Sequence, residues 1–336
     1  MKAAIFKGVG QPLAVEEIAD PVPEAGEVVI RVGRCGVCGT DLHTTAGQGY
    51  PILPGAQLGH EYAGEVVAVG KGVTEFETGD KLAAMPQVGC GRCDGCKSGI
   101  DCLCSAWTDY MKGLAQYARV SARGASKLPK GVSLGDGALV EPLAVARRAV
   151  RLAAPNAKTR ALVIGSGPIG LAALFWLSRT GVHKKVVLAT TNRRRVLAER
   201  LGADCFVVDA ADTAERIRES FGGSPDIVFE CAGTTGAVAR SIELVRPQGM
   251  VIALGFCTLP EPIIPAVAVL KDVSVRFSLL YTREDYAACV DALDVDGDRA
   301  RAMVTDTISM TDLPGAFERL REGSGGGGKM LVDPWS

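Results

Sequence analysis

Six short apolar runs, at 161–164, 186–189, 205–208, 226–229, 250–254 and 273–277, alternate with helix-patterned segments through the second half of the chain. Strands separated by a helix rather than a tight turn pair in parallel, because a parallel crossover needs a dozen or more residues. Repetition of that unit predicts a doubly wound parallel sheet with helices on both faces. The uncharged stretch 161–178 has the length of a membrane span. Gly165, Ser166, Gly167 and Pro168 interrupt it near its start, however, and Arg160 and Arg179 bound it. It therefore reads as a strand, a turn and a buried helix.

The first 130 residues have a different texture. Segments 27–34, 62–70 and 81–85 carry β-branched or alternating apolar residues with Gly and Pro between them, which predicts an irregular antiparallel barrel or sandwich. Across 136–154, Leu139, Leu143, Val150 and Leu152 are spaced for one helical face, giving a helix that connects the two regions. A length of 336 residues accommodates two domains. We expect a β-rich domain over 1–146, completed by 282–336, and a parallel-sheet domain over 147–281. The glycine-rich stretch 323–328 is expected to be a flexible exposed loop.

Lys plus Arg total 37 against 38 for Asp plus Glu, so no net field exists to hold a polyanion or an anionic membrane. The expected partner is a small molecule, with neither nucleic acid nor membrane. The N-terminus, MKAAIFKGVGQPLAVEEI, lacks the basic start, apolar core and cleavage site of a secretory signal, and a reducing, cytoplasmic setting is expected. There, eleven cysteines against three histidines have to be explained by metal, redox or core roles, since an odd number cannot all pair within one chain.

Spacing sorts them. Cys90, Cys93, Cys96 and Cys104 follow C-x2-C-x2-C-x7-C, with glycines at 89, 91, 95 and 99 permitting tight turns. Four thiolates on one short loop suit a closed tetrahedral zinc site, although an iron–sulfur cluster can use similar spacing. Cys102 competes as the fourth ligand, but Cys104 fits better. A second constellation runs Cys38-Gly39-Thr40-Asp41-Leu42-His43, followed by Gly59-His60-Glu61, and contains two of the three histidines. A thiolate, an imidazole and a carboxylate from separate segments can form an open zinc site that leaves one position for water or substrate.

CGVCGTDLH at 35–43, GHEYAGEVVAVGKGV at 59–73, the four-cysteine loop and the βαβ half, in this order, resemble the zinc-containing medium-chain alcohol dehydrogenases over nearly the whole chain. The resemblance implies an α/β protein with a GroES-like β-rich catalytic domain and a Rossmann doubly wound cofactor domain. It also implies two zinc ions per chain, and dimers or tetramers as the usual assembly. Cys38 and His60 become catalytic zinc ligands. The alcohol dehydrogenase branch takes a further cysteine from the connecting helix, where this sequence has Glu141. That resembles the sorbitol and polyol dehydrogenase branch, in which Glu61 ligates and Glu141 holds the metal or its water. Glu141 also reads as an acid at a helix entry. Thr40 is implied to accept the alcohol proton and pass it through the nicotinamide ribose hydroxyl to His43 and solvent. Asp41 is implied to accept the second ring N–H of His60 and fix its tautomer.

Gly165, Gly167 and Gly170, with Pro168 and Ile169 between them, follow a strand and open a helix. In that context G-x-G-x-x-G binds a dinucleotide, with the pyrophosphate at the helix N-terminus. A carboxylate should end the second strand if the ribose of NAD is to be gripped. The sequence has Thr190, Thr191, Asn192, Arg193, Arg194 and Arg195 instead. Thr190 removes the repulsion that excludes a 2′-phosphate, and the arginines can pair with it, which favours NADP over NAD. Arginines that merely coat a solvated helix are the competing reading. Further cofactor contacts are expected from Cys231, Gly233, Leu254 and Gly255. Tyr50, Trp107 and Leu280 read equally as walls of an apolar substrate pocket or as core.

The expected activity is zinc-dependent hydride transfer between NADP and a secondary alcohol or ketone. An NAD-dependent polyol or sugar dehydrogenase is the enzymatic alternative. A non-catalytic family member is the alternative of another class.

Overall fold

Each apolar run of the second half forms a strand. In the computed structural model, which describes residues 1–325 and 327–336, these strands build one sheet of six parallel members. Their order is Cys205–Val208, Lys184–Ala189, Arg160–Ile164, Ile227–Glu230, Met250–Ala253 and Ser274–Phe277. Buried Val, Ile and Leu line both faces of the inner strands, as a sheet covered on both sides requires. The stretch 161–178 resolves into strand Arg160–Ile164 and helix Pro168–Arg179, whose residues Gly170 to Leu177 are buried. Among the described residues no helix is long and apolar enough to cross a membrane.

The chain divides into two compact units, Met1–Glu141 with Tyr281–Ser336, and Pro142–Leu280. The division falls inside the helix Val140–Ala153. Beyond it, the Leu143 carbonyl accepts the Trp176 indole N–H at 2.8 Å, tying that helix to Pro168–Arg179. The first unit is built on a seven-stranded sheet. Its path runs Val304–Ser309, Lys329–Asp333, Glu27–Gly36, Glu61–Val69, Lys81–Ala84 and Ala125–Lys127, with Tyr117–Ser121 also paired to Glu27–Gly36. All pairs are antiparallel except Val304–Ser309 with Lys329–Asp333. Its core gathers Phe6, Val28, Ile30, Tyr62, Leu82, Leu114 and, from the returning C-terminus, Phe317 and Val332. Gly326, within the glycine-rich stretch, lies outside the described residues.

The long strand Glu27–Gly36 organises the first unit. Its start pairs with Tyr117–Ser121, its end pairs with Lys329–Asp333, and its full length runs against Glu61–Val69. Segments far apart in sequence therefore meet at Gly36, where the chain turns into Cys38.

Candidate active site and metal centres

Cys38 stands at the N-cap of the short helix Gly39–Thr45 in extended conformation, and its backbone N–H donates to the Asp41 carboxylate at 3.2 Å. A residue that both caps a helix and presents its side chain outward is held in one place. His60 enters from the other side. It follows Gly59, where φ is +95° and a β-carbon would stand 2.5 Å from Leu114 N, so any larger residue is excluded. One sulfur, one imidazole nitrogen and one carboxylate oxygen of Cys38, His60 and Glu61 all lie within 4.8 Å of one another. His60 Nδ1 is 3.3 Å from Asp41 Oδ1, an arrangement that makes Nε2 the ring nitrogen available to a metal. Burial disfavours the imidazolium, but the charges of Asp41 and Cys38 outweigh it and push the His60 pKa well up. A cluster that draws a positive charge this strongly has the donor set and polarity to hold a zinc ion.

Glu61 is fully buried, and both its oxygens face the Lys329 ammonium, at 2.7 and 2.6 Å. Lys329 is itself only 2% exposed and also donates to the Val37 carbonyl at 3.2 Å. Burial lowers its pKa, but Glu61 and Cys38 more than offset this. A β-carbon at Gly36 would stand 2.1 Å from Glu61 Oε2, so the strand's glycine makes room for the carboxylate. Glu141, 4% exposed, hydrogen-bonds Tyr281 and is pushed by burial to a pKa of about 7, against the attraction of His60 and Lys329. It lies within electrostatic reach of Glu61 as well. Sequence reasoning missed Lys329 and Tyr281. A lysine opening the apolar run KMLV was the available signal, since a buried ammonium demands an acid partner.

Thr40 and His43 lie on the helix that Cys38 caps. Thr40 is half-buried, whereas His43 is exposed, with Nδ1 3.4 Å from Gln48 Oε1. Tyr50 is half-buried with its hydroxyl 3.8 Å from Met111 Sδ, and Cys38, Asp41 and His60 are among its electrostatic neighbours. Trp107 is substantially exposed, and Leu280 is half-buried with a φ of +46°.

Cys90, Cys93, Cys96 and Cys104 bring one sulfur each within 4.8 Å of the others. Cys93 and Cys96 sulfurs are 3.6 Å apart. Zinc–sulfur bonds of about 2.3 Å in a tetrahedron set sulfur–sulfur edges of about 3.8 Å, so the loop fits the ion. Backbone N–H groups already point at sulfur: Cys90 N to Cys104 at 3.3 Å and Gly91 N to Cys96 at 3.2 Å. Backbone N–H groups of Arg92 and Cys93 hold the Cys90 thiol down to about 6, while burial pushes Cys96 up to about 11. Asp101 secures the loop, accepting from Gly89 N at 2.8 Å and pairing with Arg283.

In the second unit Gly165 has φ +96°, and a β-carbon on Gly170 would stand 1.9 Å from Gly165 O. Gly167, at the N-cap of Pro168–Arg179, instead faces open space. Two glycines thus serve the close turn, and the middle one leaves its backbone open on that side; Ile169 lies in the helix's first turn. Thr190, Thr191, Asn192 and Arg193 are exposed just past strand Lys184–Ala189. Burial and the neighbouring Arg193 charge lower the Arg194 pKa. Arg195 lies over the Phe206 ring at 5.1 Å and 3.9 Å from Glu199. The acid at the next strand end, Asp209, is engaged by Arg240 at 2.5 and 2.6 Å and by Thr213 at 2.9 Å. Cys231 and Gly233 follow strand Ile227–Glu230, and Leu254 and Gly255 follow Met250–Ala253.

Residues 24–130 match the family described as alcohol dehydrogenase GroES-like domain, and residues 168–294 match zinc-binding dehydrogenase. The chain is 31% identical over 336 residues to sorbitol dehydrogenase of Halalkalibacterium halodurans, covering 96% of this chain and 95% of that one. It superposes on 2R,3R-butanediol dehydrogenase from Bacillus subtilis with a TM-score of 0.87 at 30% identity, covering 99% of both chains. A zinc-binding dehydrogenase from Sinorhizobium meliloti 1021 bound to NADP gives a TM-score of 0.89 at 28% identity, again over 99% of both chains.

Proposed function

The chain belongs to the zinc-containing medium-chain alcohol dehydrogenase family, in its polyol dehydrogenase branch, and from that premise we propose that it reversibly oxidises a secondary alcohol bearing a neighbouring hydroxyl, with NADP as preferred hydride acceptor. The observation that carries this reading is the convergence of Cys38, His60 and Glu61 within 4.8 Å, beside the helix that bears Thr40 and His43. When bound, zinc supplies Lewis acidity at the alcohol oxygen and the nicotinamide accepts hydride.

The chain's own residues do the rest. Thr40 Oγ1 would accept the alcohol proton as it releases its own hydroxyl proton toward His43, which, being exposed, would pass a proton on to solvent. Asp41 holds His60 in one tautomer through Nδ1. Cys38, His60 and Glu61 are the ligands we assign to the catalytic ion. Glu141, held by Tyr281, would orient the alcohol or water bound beside them. Cys90, Cys93, Cys96 and Cys104 hold the second ion.

The neighbouring hydroxyl is supported by the relatives named for sorbitol and 2,3-butanediol, both of which carry hydroxyls on adjacent carbons. NADP is supported by the missing strand-end acid at Thr190, by the engagement of Asp209 with Arg240 and by the NADP-bound relative. NAD-dependent polyol oxidation is the second reading, favoured by the branch to which Glu61 and Glu141 point. Steady-state rates on sorbitol, xylitol, 2,3-butanediol and simple secondary alcohols, with NADP and with NAD, test both. One charge-assisted bond to a 2′-phosphate contributes about 1.5–3 kcal/mol, so kcat/KM should favour NADP roughly tenfold or more. Strict NAD preference overturns the role given to Thr190. No turnover on any alcohol with both metals bound overturns the catalytic reading.

We further propose a homodimer. Ser274–Phe277 is an edge strand of the parallel sheet, and Phe277 (71%), Ile264 (70%), Val269 (75%) and Leu270 (87%) expose large apolar side chains on or near it. Such an edge is a template for pairing with another chain.

A further inference from the structure

Glu230 is an acid at the carboxyl end of a central parallel strand, where a buried charge needs strong compensation. It is 1% exposed. Its Oε1 accepts the backbone N–H groups of Ala232 at 2.7 Å and Gly233 at 2.8 Å. Its own carbonyl accepts Leu254 N–H at 2.8 Å and Gly255 N–H at 3.0 Å. Gly255 N–H also lies near the carboxylate, and burial raises the Glu230 pKa against the pull of these three backbone donors.

The turns held by Glu230 touch one another through backbone. A β-carbon at Gly255 would stand 2.2 Å from Gly233 N and 2.5 Å from Glu230 Oε2. One at Gly233, where φ is +65°, would stand 2.8 Å from Phe256 N. The contact continues to the first turn: Cys231 N donates to Ile164 O at 2.8 Å, and a β-carbon at Gly165 would stand 2.9 Å from Ala232 N. Three turns at adjacent strand ends are thus packed without intervening side chains, and Glu230 bonds two of them, 231–233 through its carboxylate and 254–255 through its carbonyl, with its carboxylate packed against Gly255. The side chain lies beneath the turns rather than in the open space beside Gly167, so it acts on a ligand only through them.

We propose that Glu230 is a positioning residue for the dinucleotide, its carboxylate locking the turns 231–233 and 254–256 against the Gly165 turn into one preformed bed. The inference rests on the reading of this chain as a nicotinamide-dinucleotide enzyme. Preformed turns save the ordering cost that flexible ones would incur on binding, so loss of the carboxylate acts on cofactor affinity before it acts on chemistry.

The test is titration of the purified, metal-loaded full chain with NADPH and NADH by nicotinamide fluorescence, alongside Tm without cofactor and KM and kcat. Glu230→Ala should raise the cofactor Kd and KM at least tenfold while kcat at saturation falls much less. Glu230→Gln keeps an acceptor for Ala232 and Gly233 but presents an amide to Gly255, and should raise Kd three- to fivefold. A folded Glu230→Ala with Kd within twofold of wild type overturns the proposal. So does a Glu230→Gln with lowered Tm and unchanged Kd, which marks a purely structural residue. Wild-type protein that binds neither dinucleotide overturns the underlying reading itself, a result distinct from variants that match a wild type that binds.

Discussion

Cys38 and Cys93 are the same residue type in two positions that ask different things of it. Cys38 sits on a helix N-cap beside His60 and Glu61, with Thr40 and His43 on the same helix, whereas Cys93 belongs to a loop whose sulfurs face one another and backbone N–H groups. For the proposed open and closed sites, elemental analysis of wild type should find about two zinc per chain. Cys38→Ala should remove about one zinc and abolish turnover with little change in Tm. Cys93→Ala should remove about one zinc and lower Tm, with residual turnover, because a structural ion contributes folding energy. The exchanged pattern means that the two sites have been assigned the wrong way round. Residue types and short spacings picked out both groups of side chains that the fold brings together. For Lys329 the run KMLV could hint at burial, but its partner Glu61, 268 positions away, could not be read from any local pattern.

At the scale of elements, the parallel sheet is tied at both ends by acids. Asp226, just before strand Ile227–Glu230, accepts from Arg160 N at 2.8 Å, from the Arg160 guanidinium at 3.1 Å and from Arg246 Nε at 2.7 Å. Burial alone would raise its pKa, but these donors hold it down to about 2, against 3.8 for the free side chain. The sign follows: a depressed carboxyl contributes stability that is fully present above the unfolded pKa and is lost as pH falls through the folded one. The Tm difference between wild type and Asp226→Asn should therefore be constant from pH 7 to about 5 and shrink between about pH 4 and pH 2. A difference that persists unchanged at pH 2 contradicts this assignment. The strands themselves were legible because β-branched apolar runs bounded by turn residues encode extended, doubly buried backbone. The seven-stranded sheet was legible only as a class. Its pairing of Lys329–Asp333 with Cys35 and Gly36 depends on contacts that no window of sequence contains.

At the scale of the whole molecule, the exposed edge strand Ser274–Phe277 predicts self-association. Light scattering coupled to size exclusion should give at least twice the 35.1 kDa of one chain, and Phe277→Asp should shift the mass toward a single chain while both metals remain bound. A wild-type chain that is monomeric at micromolar concentration contradicts the proposed dimer. Local spacing and composition were enough to specify parallel strands, glycines at the tight turn of 165–170, two clusters of candidate metal ligands, and the absence of an acid at Thr190. The folded chain alone decided which strands are neighbours, that Glu61 faces a buried ammonium, that Glu141 is held by a tyrosine, and that Glu230 bonds two turns at once. Periodicity and turn chemistry report the backbone and burial of a residue within its own element, whereas the partner of a buried charge is set by chain closure over hundreds of residues.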